Sequence, residues 1–241
     1  ISSEIFQALK QQIAATGSTT AVGDEGGFTF KVVANTQMLD LLDEAVETAG
    51  YDPNHDVGYA MDVAASEFFD ENEYHLKSEN RSLATDEMIE YLERISKTYN
   101  VVSIEDGLDQ DSWADWQTLT KRLKSLQLVG DDLLVTNITR LAKAIKEQAG
   151  NAILIKPNQI GTLSETIKAV GLAKENGWNS IISHRSGETE DVTISHLAIG
   201  TGAGQIKTGS LSRGERTSKH NEIIRLEEID PSIKLANPFI Q

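Results

Sequence analysis

The chain has 241 residues, of which 39% are apolar, enough for a sizeable core in one large domain or two small ones. Its 37 acidic and 22 basic residues give a formal net charge of −15, which argues against a nucleic-acid partner, since a phosphate backbone needs a basic face. There is no cysteine, so disulfide and thiolate chemistry are excluded and a reducing cytosol is compatible. No run approaches the ~20 apolar residues of a membrane span, and we expect no signal peptide.

The sequence begins at Ile1 and enters an amphipathic pattern almost at once, which predicts a helix over residues 3–15. We interpret this start as a cut through a larger protein; the alternative is a processed mature terminus. Residues 20–27 predict a short strand that ends in an acidic, glycine-rich turn. Within this turn Glu25 either points at a ligand or belongs to a solvated connection.

Short apolar strands alternate with amphipathic helices along the rest of the chain. The predicted strands are 57–62, 101–106, 126–132, 152–155, 180–187 and 205–209, with a minor hairpin arm at 73–76, and the predicted helices are 36–49, 85–97, 113–123, 137–148, one that opens with the capping box 162–165, and 213–228. This alternation predicts a parallel sheet, and six or seven such units favour a (β/α) barrel over an open sheet. No GxGxxG turn follows a strand, which weakens the dinucleotide-binding alternative.

Three of the predicted strands end in carboxylates, at Asp62, Glu105 and Asp131. In a barrel the carboxyl ends of the strands meet at one mouth, so these acids would lie together and would need a cation between them. Oxygen ligands without His or Cys favour a hard ion, Mg²⁺ first and Mn²⁺ next. The alternative is that each acid caps the helix that follows it.

Basic residues would face these acids across the mouth. Lys156 follows four apolar residues and precedes Pro157, which is typical of a buried strand that delivers a general base; a surface lysine is the alternative. Arg185 with Ser186 is a candidate phosphate clamp, and Lys207 could bind a second anionic group. A metal, a lysine base and an anion clamp together suggest proton abstraction beside a carboxylate, with the metal holding an enediolate.

Seven segments also resemble, in order and spacing, the signature segments of the enolase family: VGDEGGF, MDVAASEFF, VVSIEDGL, LVGDDLLVTN, LIKPNQIGTLSET, SHRSGETED and QIKTGSLSRGER. The resemblance implies an enolase-type TIM-like (β/α) barrel and a phosphopyruvate hydratase, a Mg²⁺-dependent carbon–oxygen lyase that dehydrates 2-phosphoglycerate to phosphoenolpyruvate in glycolysis. It also implies a cytoplasmic homodimer or octamer in the full-length protein, with a cell-surface or secreted form without a signal peptide as an alternative.

The same resemblance implies a role for each residue at the mouth. It gives Asp62, Glu105 and Asp131 as metal ligands, Lys156 as the base, Glu25 as the acid that helps the hydroxyl leave, Arg185 and Ser186 as phosphate ligands, Lys207 at the substrate carboxylate, and His184 as a residue that lines the site.

The family resemblance is to its C-terminal catalytic barrel, which we expect to fill residues 1–241 as one domain. Enolases carry an N-terminal α+β domain and first barrel strands before this segment, so we expect an incomplete barrel that is aggregation-prone and nearly inactive alone. The alternatives are the related racemases and cycloisomerising enzymes, which usually lack the GDEGG and SHRSGETED segments, an inactive fragment, and a plasminogen-binding surface form. That last form often uses C-terminal lysines, whereas this sequence ends in Ile240 and Gln241.

Overall fold

The computed structural model describes residues 1–239, so that Ile240 and Gln241 lie outside the described residues. In chain order the strands are β1 (Tyr59–Asp62), β2 (Phe69–Asp70), β3 (Glu73–Leu76), β4 (Arg81–Leu83), β5 (Val101–Glu105), β6 (Gln127–Gly130), β7 (Ala152–Ile155), β8 (Asn179–Ser183) and β9 (Ile206–Lys207). The helices are α1 (Ser2–Ala15), α2 (Gln37–Thr48), α3 (Thr85–Thr98), α4 (Trp113–Arg122), α5 (Ile138–Glu147), α6 (Pro157–Ile160), α7 (Leu163–Glu175), α8 (Thr193–Gly200) and α9 (Gly214–Ile229).

Six of these strands form one parallel sheet in the order β1-β5-β6-β7-β8-β9. The sheet is strongly curled. Lys207 at the end of edge strand β9 has its Nζ 2.8 Å from Oδ2 of Asp62 at the end of edge strand β1, so the two edges lie close together. In the described chain β1 and β9 do not pair with each other. The sheet is therefore part of an α/β barrel, and the prediction of an incomplete barrel is confirmed.

The central strands are buried on both faces, as their continuous apolar sequence predicts. All four residues of β7 and all four of β6 are buried, and the helices that follow pack against the sheet. Helix starts are fixed by side chains: Asn137 Oδ1 accepts the N–H groups of Thr139 and Arg140, and Thr162 Oγ1 accepts that of Glu165. These caps fix where the loop after each strand ends and the next helix begins.

Two smaller units flank the curled sheet. Strands β2, β3 and β4 form an antiparallel sheet, of which the sequence indicated the β3 arm. Helices α1 and α2 pack together around Ile13, and the ring of Phe28 stacks on Phe6 with 4.6 Å between their centroids. Of the strand and turn predicted over residues 20–27, the strand is wrong, since this segment makes a single antiparallel bridge, between Val22 and Phe28. The acidic, glycine-rich turn is confirmed, with a turn and bend over residues 24–26.

Some local predictions also differ from the structure. The sequence pattern did not indicate α6 or α8. The sequence pattern places Leu163, Ile167 and Val170 on one apolar face of α7. Val170 is buried as predicted, together with Ala169, but Leu163 and Ile167 are 53% and 48% exposed. Over residues 1–239, none of the helices combines the length and apolar character needed to cross a bilayer.

Candidate active site at the mouth of the curled sheet

Two of the predicted metal ligands lie directly opposite each other. The register of β1 and β5 pairs Asp62 with Glu105, and Lys207 Nζ lies 2.8 Å from Asp62 Oδ2 and 2.8 Å from Glu105 Oε1. Burial alone would lower the pKa of Lys207, but the charges and hydrogen bonds of these two carboxylates outweigh it and raise the pKa well above the usual lysine value. Lys207 is thus held as an ammonium group.

The third predicted ligand, Asp131, pairs with the other strand-end lysine. Oδ2 of Asp131 accepts a hydrogen bond of 2.5 Å from Lys156 Nζ. Oδ1 of the same carboxylate is buried and has no hydrogen-bond partner among the described residues. A buried carboxylate oxygen left unpaired is costly, so this atom is a vacant acceptor that faces the mouth.

The structure also brings together a second acidic group, which overlaps the predicted one. Carboxylate oxygens of Asp106, Asp131 and Asp132 lie within 4.8 Å of one another. Asp106 acts first as a backbone anchor, because its Oδ1 accepts the N–H of Asp131 at 3.0 Å and its Oδ2 that of Asp132 at 2.8 Å. Asp106 is the last residue of the predicted strand 101–106, but the sequence pattern did not indicate this role.

The electrostatics of the acids fit a cation site. Burial, with the charge of Asp62 as the next cause, raises the pKa of Glu105 to about 8, and burial raises that of Asp106 to about 7. At Glu105 the ammonium group of Lys207 offsets the effect of burial only in part. The donors are all oxygens, one of them the unpaired Oδ1 of Asp131, and such a set suits a hard divalent ion.

The backbone that carries Lys156 is held by a strained segment. Lys156 donates its N–H to Thr136 Oγ1 at 2.9 Å, and Thr136 is fully buried. Val135 and Thr136 have φ of 45° and 55°, a left-handed conformation that β-branched residues rarely adopt. The loop after β6 thus stores strain where it meets the end of β7.

Glu25 and His184 meet on the other side of the mouth. His184 Nε2 lies 3.4 Å from Glu25 Oε2, an ion-pair distance without the alignment of a hydrogen bond. The contact with His184 is the largest cause of a pKa of about 2 for Glu25; burial opposes it, and Lys207 and Arg216 add positive charge. Glu25 is therefore ionised at neutral pH in this form.

The predicted phosphate clamp, Arg185 and Ser186, contacts both the segment after Lys156 and the turn that carries Glu25. Arg185 Nη1 donates to Asn158 Oδ1 at 2.9 Å, next to the loop that carries Lys156. Ser186 is exposed, and its Oγ lies 3.4 Å from Glu25 Oε1. Both side chains are reachable from solvent, so an anion could bind between them.

Arg216 is a site residue that sequence reasoning missed. It lies in the first turn of α9 and is 1% exposed. Its guanidinium contacts His184 and the carbonyls of Asp24, Arg185 and Ser186. The QIKTGSLSRGER segment contains this residue, but nothing in the pattern showed that an arginine at a helix start would be buried.

The predicted site residues therefore fall into contact groups at the carboxyl ends of the strands. Glu25, His184 and Lys207 line a cavity of about 430 Å³, Lys207 contacts Asp62 and Glu105, and Asp131 contacts Lys156. Acids, lysines and an arginine at the carboxyl ends of parallel strands are the arrangement expected at the mouth of a (β/α)-barrel domain.

Comparison with known proteins gives the family. A family model described as "Enolase, C-terminal TIM barrel domain" matches residues 1–234. Enolases of Legionella pneumophila strains Corby and Paris are each 52% identical to the chain over 227 residues, which is 94% of this chain and 54% of the relative. The chain belongs to the enolase family, and it spans about half the length of these curated relatives.

Proposed function

We propose that residues 1–241 form the catalytic barrel domain of an enolase, which dehydrates 2-phosphoglycerate to phosphoenolpyruvate. The observation that carries this proposal is the pairing of two strand-end lysines with three strand-end carboxylates at one mouth. Family membership supports the same reaction class, a carbon–oxygen lyase of glycolysis. The substrate of the domain is thus a small phosphorylated hydroxy acid.

The metal ligands in this proposal are Asp62, Glu105 and Asp131. Mg²⁺ bound by them would supply positive charge beside the substrate carboxylate and so acidify the neighbouring C–H bond. The unpaired Oδ1 of Asp131 and the raised pKa of Glu105 support this assignment. Asp106 holds the backbone of Asp131 in place and is a positioning residue rather than a ligand.

Lys156 is the proposed base that removes the proton next to the substrate carboxylate. With a cation on the carboxylates, Lys156 would lose Asp131 as its counter-ion, and its neutral, proton-accepting form would be favoured. Lys207 keeps its proton between two acids and would bind the carboxylate end of the substrate. The two lysines thus divide proton transfer and binding between them.

Arg185 and Ser186 would bind the phosphate, with His184 lining the site beside them. A phosphate at this position adds negative charge near Glu25, whose carboxylate lies 3.4 Å from Ser186 Oγ. Like charges disfavour ionisation, so bound substrate would raise the pKa of Glu25 from about 2. Glu25 could then carry the proton that the leaving hydroxyl takes up.

The cellular setting follows from the family in this proposal. We infer a cytoplasmic enzyme that works as a homo-oligomer, dimer or octamer, in its full-length form. A sedimentation measurement on the full-length protein would test the oligomer directly. A monomer would contradict it.

The test of the activity is a spectrophotometric assay for phosphoenolpyruvate with 2-phosphoglycerate and Mg²⁺. The chain is assayed alone and together with the portion of a Legionella pneumophila enolase that the chain does not match. We expect turnover in the complemented sample and none with Lys156→Ala, while Lys168→Ala, an exposed lysine of α7, keeps it. Absence of turnover from both unmutated samples would contradict the proposal.

A further inference from the structure

Arg216 connects two separate segments of the candidate site through hydrogen bonds to main-chain oxygens. Its Nη2 and Nε donate to Asp24 O at 2.8 and 3.1 Å, Nη1 donates to Arg185 O at 2.8 Å, and Nη2 donates to Ser186 O at 2.7 Å. The turn that carries Glu25 is therefore joined to the loop that carries the phosphate clamp. At 1% exposure, Arg216 takes no part in solvent contacts that would weaken these bonds.

The same guanidinium also fixes the protonation of His184. Arg216 Nη1 lies 2.7 Å from His184 Nδ1, and a guanidinium has donors but no acceptor. Nδ1 must therefore offer a lone pair, which excludes both the Nδ1–H tautomer and the doubly protonated ring. The proton of the neutral imidazole is left on Nε2.

Nε2 is the ring atom that faces the acid turn. It is buried, lies 3.4 Å from Glu25 Oε2, and has no hydrogen-bond partner within residues 1–239. An N–H at this position is an unused donor beside the Glu25 carboxylate. We propose that Arg216 is a positioning residue that holds His184 in the Nε2–H tautomer and so places this donor next to Glu25.

The proposed function gives this arrangement its purpose, because Glu25 is the acid in that reaction. A donor fixed on Nε2 cannot accept a proton from Glu25, so the histidine orients the carboxyl group without competing for its proton. With Nδ1–H instead, the lone pair of Nε2 would face Glu25 and could take that proton. The tautomer therefore decides whether His184 offers a hydrogen-bond donor to Glu25 or can take its proton.

Lys219, one turn further along α9, serves as a control for a purely structural role of Arg216. Lys219 is fully buried, and its Nζ donates to Thr189 O and, at 2.6 Å, to Glu215 O. It thus holds the same loop as Arg216 does. No hydrogen bond joins Lys219 to His184 in the described residues, so loosening the loop and changing the tautomer can be separated.

The experiment is nitrogen NMR of the histidine rings in the substrate-free protein at neutral pH. The chain has five histidines, and the His184 signal is assigned by its loss in His184→Gln. We expect a ring protonated at Nε2 and unprotonated at Nδ1 in the unmutated protein. We expect Arg216→Lys to abolish this single tautomer, because an ammonium group cannot reach Nδ1 and the three carbonyls together, and we expect Lys219→Met to preserve it.

Three results would overturn the proposal: an Nδ1–H or doubly protonated His184 in the unmutated protein, an unchanged tautomer in Arg216→Lys, or the same change in Lys219→Met. The first needs no variant, so the proposal stays testable if Arg216→Lys fails to fold. The readout needs neither substrate nor turnover. A protein with the expected tautomer but no turnover in the complemented assay would therefore refute the proposed function and leave the role of Arg216 standing.

Discussion

The two strand-end lysines of the mouth are the same residue type at equivalent places on β7 and β9, which are separated by β8, yet their surroundings differ. Lys207 lies between Asp62 and Glu105 at 2.8 Å from each, whereas Lys156 has one carboxylate partner, Asp131. An ammonium group between two acids keeps its proton. One with a single partner can release its proton when that partner is engaged elsewhere.

The backbones that carry the two lysines differ as well. Lys156 follows a strand that is buried over its whole length and is anchored through Thr136 to a strained loop. Lys207 ends a two-residue edge strand whose residues are partly exposed. A base must hold its position to within a fraction of an ångström, so the rigid support belongs under Lys156.

The largest effect should come from removing the proposed base. We expect Lys156→Ala to lower kcat by on the order of 10³–10⁴-fold in the complemented assay, because general-base catalysis contributes about that much. Lys207→Ala should act chiefly on KM, because it removes a binding charge. If Lys207→Ala abolishes kcat and Lys156→Ala spares it, the roles of the two lysines are reversed.

The next effect concerns stability. Replacing Lys207 by Met leaves Asp62 and Glu105 facing each other, and we expect a loss of about 3 kcal/mol in the free energy of unfolding, the low end for breaking a buried pair because Asp62 is partly exposed. Urea unfolding at neutral pH measures it. Lys97→Ala, which removes an exposed partner of Glu93, should change stability by less than ~0.5 kcal/mol. Equal losses in the two variants would show that Lys207 is an ordinary surface lysine.

A smaller effect tests the support under Lys156. Thr136→Val keeps the shape of the side chain but leaves the Lys156 N–H without its acceptor, at a cost of about 1–2 kcal/mol. Amide hydrogen exchange at Lys156 should quicken in this variant, and kcat should fall. The control is Thr118→Val on the exposed side of α4. Unchanged exchange at Lys156 would mean that the strained loop does not hold the base.

The smallest effect is a pH dependence from Glu25, whose charge faces Lys207 and His184. Its folded pKa of about 2 lies below the usual ~4.3 of an unfolded glutamate, so its contribution to stability is present above about pH 4 and is lost as the pH falls towards 2. The side chain is 46% exposed, so the amount is small. The stability difference between the unmutated protein and Glu25→Gln should shrink over that window; a difference that grows on acidification would contradict the low pKa.

Most of the fold was readable from the sequence because its signals are local. The apolar run before Lys156, the alternation of strands and helices and the cap at Thr162 each depend on a few neighbouring residues, and the structure has β7, the parallel order and α7 as predicted. The strand predicted before the turn in residues 20–27 is wrong because a strand needs partners, and this segment makes a single bridge at Val22.

The sequence predicted the candidate-site residues at the strand ends but not the long-range contacts that hold them in place. Residues such as Asp62 and Lys156 are predicted to lie at strand ends because they directly follow apolar residues. The pairing of Lys207 with Asp62 joins residues 145 positions apart, and the burial of Arg216 depends on where the turn at Asp24 meets the loop at Arg185 and Ser186. No local pattern encodes such contacts, because they arise when the sheet curls.

The most direct test of the division between the two lysines is exchange of the substrate C2 proton with deuterated solvent, followed by NMR in the complemented sample with Mg²⁺. Exchange reports proton removal even when the hydroxyl does not leave. We expect exchange to continue in Glu25→Gln and, at saturating substrate, in Lys207→Ala, and to cease in Lys156→Ala. Exchange that persists without Lys156 would contradict its assignment as the base.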